Sequence, residues 1–291
     1  MTTMTPFEYH APVDLQNALI LLRDNGQPLA GGTDLFLRME RAQLEPTILV
    51  DLKRIPGLNR LEQTGNEIHI GALTCMQDIA SAPMITKHGA TLAASAKVVG
   101  STQTRNRATI GGNVANASPA ADATPSLMAL GALAHIANVE GTRELAVEEL
   151  FVGPGQTVLQ HGEIVTQFSF LRPPPHSGSS FQRCTRTAMD IALVNCAVSL
   201  TLDQGDRNQI TSARMVLGAV GPTAVRAVAA ERLMVGQPCT DKLAEAVAEC
   251  ATTEASPIDD VRASAAYRSE MVRVLTRRAI DAALQAAQGK A

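Results

Sequence analysis

Along the first fifty residues the apolar positions switch between helical and strand spacing. In "VDLQNALILLRDNG", Leu15, Leu19 and Leu22 fall on one helical face, and Gly26 is a natural stop. "PLA" predicts a short strand, "DLFLRMERAQ" a second helix, and the unbroken apolar run "TILVDL" a buried parallel strand. This β-α-β-α-β order defines a first α/β subdomain over residues 1–52. A second α/β subdomain is expected over 53–175. In it "NEIHIGAL" alternates as a strand, Cys75–Ser81 and Ala90–Val99 read as helices, and Asp122–Ala132 reads as a helix before the strands "LAHIAN" and "EIVTQFSF". The proline run Pro173–Pro175 followed by "HSGSS" marks a boundary. Beyond it, over 176–291, Ser180–Thr185, Ile191–Leu202 and Ile210–Val220 have strand character. Asp241–Ala251 and Ala263–Ala287 have helical character, which predicts an antiparallel sheet with helices on one face. The last helix carries Arg268, Arg273, Arg277 and Arg278, read either as a solvated face or as a partner contact.

Two glycine pairs interrupt this pattern where strands and helices meet. Gly31-Gly32 sits in "PLAGGTDL", beside Thr33 and Asp34. Gly111-Gly112 sits in "ATIGGNVANASPAADATP", with Thr109, Asn113, Asn116, Ser118 and Asp122 close by. Glycine permits positive φ and a close approach of backbone to ligand. Successive N–H groups in such a turn form a concave anion site. Two loops of this kind gripping one diphosphate point to a nucleotide cofactor. Neither a G-x-x-x-x-G-K-[ST] nor a G-x-G-x-x-G pattern occurs, which sets aside P-loop and Rossmann sites.

Composition narrows the classes. The chain has 291 residues, 45% of them hydrophobic, enough for two or three subdomains around buried cores. Its net charge of −3, with no basic run, argues against nucleic acid as a partner. No apolar run reaches membrane-spanning length, and "MTTMTPFEYH" lacks a signal-peptide layout, so a cytoplasmic protein without membrane insertion is expected. Cys75, Cys184, Cys196, Cys239 and Cys250 are widely spaced, as reduced structural thiols are. The six histidines are scattered, and no metal site is expected.

"AGGTDL", "IPGL" and "VGSTQTRNRATIGGNVANASPAADATPSLMALGA" closely resemble the FAD-binding subunit of molybdenum hydroxylases, the xanthine dehydrogenase and aerobic carbon monoxide dehydrogenase relatives. The resemblance continues through "FQRCTRTAMDIALVNCAVSLTL", "MVLGAVGPTAVRA" and "YRSEMVRVLTRRAI". It implies an α+β, vanillyl-alcohol-oxidase-like (PCMH-type) FAD-binding fold: two α/β subdomains plus a C-terminal antiparallel sheet with helices. It also implies noncovalent FAD. Leu29 would lead into the turn Ala30, Gly31, Gly32, Thr33 and Asp34 on one side of the diphosphate. Thr109, Ile110, Gly111, Gly112 and Asn113 would close the other side, with Asn116 and Ser118 following. Arg105 and Arg107 would add positive potential or remain solvated surface residues. Asp122 would accept from the adenosine half or cap the helix that follows it. Ile55, Val99 and Val165 would lie at the flavin ring or belong to the core. Arg183 stands where relatives often have Lys, and Phe181 where several have Tyr. A cation there would stabilise the reduced ring. Asp190 would lie near the flavin or pair with Arg183 or Arg186.

The function implied is an oxidoreductase subunit with no catalytic residue of its own and no metal. Electrons would come from 2Fe–2S clusters in a small partner subunit, fed by a large molybdopterin subunit, and leave to NAD⁺, oxygen or another acceptor. The expected assembly is a dimer of heterotrimers. The cysteine spacing agrees, since a cluster needs thiolates in tight groups. The alternatives are a self-contained flavin oxidase of the same fold and a non-catalytic nucleotide-binding assembly subunit.

Overall fold

A computed structural model describes residues 5–206 and 208–290. Met1–Met4, which open the first subdomain and the stretch read for a signal layout, lie outside the described residues. The chain starts with β1 (Glu8–His10), α1 (Leu15–Arg23), β2 (Gln27–Leu29), α2 (Leu35–Glu40) and β3 (Ile48–Asp51). The three strands form a parallel sheet in the order β1-β3-β2. The apolar run Leu49-Val50 is nearly inaccessible, which puts β3 in the middle. Asp14 caps α1 by accepting from the Asn17 amide at 2.8 Å, and Ala18, Leu19 and Leu22 face the core.

The next stretch contains β4 (Leu61–Thr64), β5 (Glu67–Gly71), α3 (Met76–Ser81), α4 (Pro83–His88), α5 (Ala90–Lys97), α6 (Thr102–Arg105), α7 (Ile110–Ala115) and α8 (Ala123–Ala129). It continues with β6 (Leu133–Asn138), β7 (Gly141–Ala146), the small hairpin β8 (Phe151–Gly153) and β9 (Gln156–Thr157), and β10 (Ile164–Leu171). Its five-stranded sheet has the order β4-β5-β10-β6-β7, and every neighbouring pair is antiparallel. The α/β expectation for this part is corrected. Tight hairpins join β4 to β5 through Gly65, at φ 60°, and β6 to β7 where the Asn138 side chain accepts from the Glu140 and Gly141 amides. Connections that short allow only antiparallel pairing.

After the proline run come β11 (Ser177–Cys184), β12 (Val194–Leu202), β13 (Ile210–Gly218), β14 (Val225–Arg226), α9 (Val228–Met234), α10 (Asp241–Glu254) and α11 (Ala265–Ala287). The strands form an antiparallel sheet in sequence order. One face packs on α11, where Gly178 lets the Ala283 carbonyl touch the strand backbone. The other face meets α5 and α8: the Thr91 amide donates to Ser179 Oγ at 3.2 Å, and Thr91 Oγ1 donates to the Ser180 carbonyl at 3.1 Å.

Three arginines of the α11 row are tied into the chain, while Arg278 stays exposed. Arg268 is 3% exposed and donates to the Leu193 carbonyl at 2.5 Å and to Asp260 at 2.9 Å. Arg273 and Arg277 reach Glu245 of α10 at 2.6 and 2.8 Å. Arg268→Met is expected to lower stability by about 2 kcal/mol in urea unfolding, because it leaves the buried Leu193 carbonyl without its donor, while Asp260 keeps Arg262. Arg278→Met, which removes none of these contacts, serves as the control.

Candidate cofactor site

β2 ends at Leu29, whose buried side chain anchors the turn that follows. Residues 30–34 carry the chain round into α2, and Gly32 takes φ 77°. Gly31 packs directly on the Arg107 carbonyl, leaving no room for a Cβ. The first glycine loop therefore rests on the segment that leads into the second. Among the described residues, the amides of Gly31, Gly32, Thr33 and Asp34 donate to no acceptor in the chain. Four donors left open on one turn form the concave anion site read from the sequence.

The second glycine pair is built differently. Gly111 and Gly112 lie inside the first turn of α7, not in a positive-φ loop. Thr109 caps that turn by accepting from the Gly112 amide at 3.1 Å. The Ile110 amide donates to Thr74, the Gly111 amide to Ala72, and the Asn113 amide to Thr109. These four amides are already paired, so the expected second nest is absent among the described residues. Gly111 is required for another reason: a Cβ there would stand 2.7 Å from both Ala72 Cβ and Ala72 O. The close packing sets α7 against the strand end at Ala72. Asn113 then presents a buried side-chain oxygen, Oδ1, with no partner.

The two loops line one cleft of about 740 Å³. It is within the range of roughly 300–1,000 Å³ usual for ligand sites. Of the residues singled out from the sequence, Ala30, Gly31, Gly32, Thr33, Asp34, Val99, Thr109, Gly111, Gly112, Asn113, Asn116, Ser118, Asp122, Val165, Arg183 and Asp190 line it. Leu29, Ile55 and Ile110 do not. Ile55 is 5% exposed and packs with Ala18, Leu19 and Val50 in the first core, and Ile110 belongs to the second core. The branched apolar side chain of Ile55 is better buried beside α1 than placed on a cleft wall. Arg105 does not reach the cleft either, because its guanidinium is held by Gln77 and by the Val99 and Gly100 carbonyls. Arg107 contributes its backbone and not its charge.

Asp122 and Arg183 face each other. Arg183 Nε lies 3.1 Å from Asp122 Oδ1, and the same oxygen accepts from Asn195 Nδ2 at 3.1 Å. Arg183 also donates to the Val98 carbonyl at 3.2 Å and to the Asp190 carbonyl. Asp122 makes no capping bond to α8. Asp122 and Arg183, read from the sequence as two separate contacts, thus form one ion pair on the same stretch of cleft. Burial pushes the Asp122 carboxyl up to about 6, against the opposing pull of Arg183 and Asn195. The Asp190 carboxylate pairs with Arg186 at 2.9 Å, one of the alternatives read from the sequence.

Sequence reading missed Phe36, Arg38, Met189 and Ile191 on the cleft wall. Arg38 follows Asp34 by one helical turn, and that spacing was the available signal. The other three are exposed apolar side chains, which periodicity assigns to no face.

The cleft fits a dinucleotide. It offers four unpaired amides on one turn, an orphaned buried carbonyl oxygen at Asn113, and apolar walls at Val99 and Val165. Residues 5–171 match the family described as the FAD binding domain in molybdopterin dehydrogenase, and residues 179–283 match the CO dehydrogenase flavoprotein C-terminal domain. The xanthine dehydrogenase FAD-binding subunit of Escherichia coli O157:H7 is 32% identical over 97% of both chains. A carbon monoxide dehydrogenase chain from Hydrogenophaga pseudoflava superposes with a TM-score of 0.92 at 31% identity, covering 97% of this chain and 98% of that one. A quinoline 2-oxidoreductase chain from Pseudomonas putida 86 gives 0.91 at 28% identity, covering 98% and 99%. The chain belongs to the FAD-binding medium subunits of the molybdenum hydroxylases. It is an oxidoreductase subunit, and its cofactor is FAD.

Proposed function

We propose that this chain is the electron-transfer subunit of a multi-subunit molybdenum-containing dehydrogenase or oxidase, and that FAD lies in the cleft between the two glycine loops. The observation that carries the placement is the run of open amides from Gly31 to Asp34 on a turn that lines the same cleft as α7. The diphosphate sits against that turn. Thr33, Thr109 and Asn113 add side-chain contacts, and the flavin lies toward Val99, Val165 and Arg183. The chemistry that bound FAD supplies is electron transfer from 2Fe–2S clusters of a small partner subunit to NAD⁺, oxygen or another acceptor. A large molybdopterin subunit oxidises the organic substrate. This chain's own residues bind the cofactor, orient it and set the charge around it. Among the described residues no His or Cys lines the cleft and no group of side chains suits a metal, which supports noncovalent FAD and clusters housed elsewhere. We assign the fold to the vanillyl-alcohol-oxidase-like class, with units at 1–52, 53–175 and 176–291. No helix of the described residues is long and apolar enough to cross a membrane. We place the assembly in the cytoplasm as a dimer of heterotrimers.

The test is purification from the native host. The chain should bring down an iron–sulfur subunit and a molybdenum subunit, with FAD that heat or acid releases. Organic substrate should bleach that FAD in the complex and leave it oxidised in the isolated chain. A lone chain that oxidises an organic substrate at a useful rate, or flavin that stays with denatured protein, would overturn the reading.

A further inference from the structure

The first glycine loop lines the cleft with unpaired amides, and a buried ion pair stands behind it. Asp51, at the end of β3, is 6% exposed. Its Oδ2 accepts from the Tyr9 hydroxyl at 2.5 Å, and its Oδ1 accepts from the Lys53 amide at 3.0 Å. The Lys53 ammonium lies 2.7 Å from the same Oδ1 and donates to the Ala30 carbonyl at 3.2 Å. Lys53 does not line the cleft. Its reach to Ala30 still matters there, because a trans peptide points its C=O and N–H in opposite directions. No cis peptide occurs among the described residues, so tying the Ala30 carbonyl back toward Lys53 turns the Gly31 N–H to the opposite side of the same plane. Gly31 is among the residues that line the cleft. Burial raises the pKa of Asp51, and the Lys53 and Tyr9 hydrogen bonds outweigh it, so the carboxylate stays ionised and keeps its hold on the ammonium.

We infer that Lys53 is a positioning residue for the diphosphate: anchored on Asp51, it fixes the Ala30–Gly31 peptide so that the first amide of the glycine loop points into the cleft. The inference rests on the reading of that loop as the diphosphate site. A flexible loop would satisfy the Ala30 carbonyl with water and leave the peptide free to flip. The lysine removes that freedom before ligand arrives, which is preorganisation.

The experiment compares wild type, Lys53→Met and Lys53→Arg as deflavinated full chains, titrated with FAD and with ADP. ADP carries the diphosphate without the flavin. The Met variant should lose about tenfold in affinity for both probes, while the Arg variant, which keeps the charge and the donor, should stay within about threefold of wild type. A Met variant with wild-type affinities overturns the inference, and so does an Arg variant as weak as the Met variant. A wild-type chain that holds FAD but gives ADP no measurable site would instead overturn the placement of the diphosphate on this loop.

Discussion

Gly32→Val is expected to leave the chain folded but unable to retain FAD, with affinity lowered by about a hundredfold or more. Gly32 holds φ 77°, where a β-branched residue is strongly disfavoured, and a Cβ there would stand 2.7 Å from the Phe36 ring. Either the turn rearranges or Phe36 moves into the cleft. Both disturb the row of open amides. The second loop should behave differently at its two glycines. At Gly111 a side chain would collide with Ala72, so Gly111→Val should destabilise the fold and lose FAD together. At Gly112 a Cβ would approach only Thr109 Oγ1, at 3.0 Å, so Gly112→Ala should cost less than tenfold in FAD affinity, about 1 kcal/mol. Flavin-to-protein ratios after gel filtration, read beside circular dichroism, separate the cases. A Gly32→Val chain with stoichiometric FAD removes the first loop from the site.

Arg183→Met should destabilise the chain at pH 8 and recover much of that loss by pH 5.5. Asp122 at the start of α8, Arg183 on β11 and Asn195 on β12 form one buried cluster between the second and third parts of the chain. Removing one partner of a buried pair costs on the order of 3 kcal/mol, because the other charge stays in low dielectric. Asp122 can escape that cost by taking a proton. Its folded pKa already stands at about 6, above the usual 3.8, and loss of Arg183 removes the attraction that lowers it. For an acid with a raised folded pKa, the stabilising contribution is full below the unfolded value and is lost as pH rises through the folded one. Wild type should therefore gain stability as the pH falls from about 6 toward 4, by roughly 1.4 kcal/mol per unit of pKa displacement. In the variant the gain should begin at a higher pH. Urea midpoints of the flavin-free chain at pH 8 and pH 5.5 test this. A loss that is equal at both values would mean that Asp122 does not titrate in this range.

The first part of the fold is legible because each element declares itself locally. α1 has its cap and its Leu19/Leu22 stripe, and β3 has its apolar run. The five-stranded sheet was harder to read. β7, "GTRELA", is a half-solvated edge strand with no buried apolar face to reveal it, and β4 is more exposed still. Pairing is non-local, so the antiparallel direction of β10 between β5 and β6 leaves no trace in any single window. The glycine motifs located the cleft, but they concealed that one is a loop with free amides and the other a capped helical turn. Side-chain and backbone partners at Thr109, Ala72 and Thr74 decide that difference. The Asp122–Arg183 pair joins positions 61 residues apart and was read as two separate roles. Lys53 carried no signal at all, because its contacts are with a buried carboxylate and a carbonyl 23 residues earlier.

The cleft draws its wall from Gln27 through to Ile191, so its order of manufacture differs from its order in space. The first glycine turn leaves the ribosome early, but Arg107, on which it rests, and α7 emerge much later. Arg183 and Asn195 come later still, and the strands that hold them need β13 before they form a sheet. The cavity is thus unfinished until about three quarters of the chain has been translated. A cofactor that binds only the completed cavity favours the finished fold by mass action. Flavin supply during synthesis should then govern how much of this subunit survives to be assembled, even though the coenzyme takes no part in forming the earliest sheet.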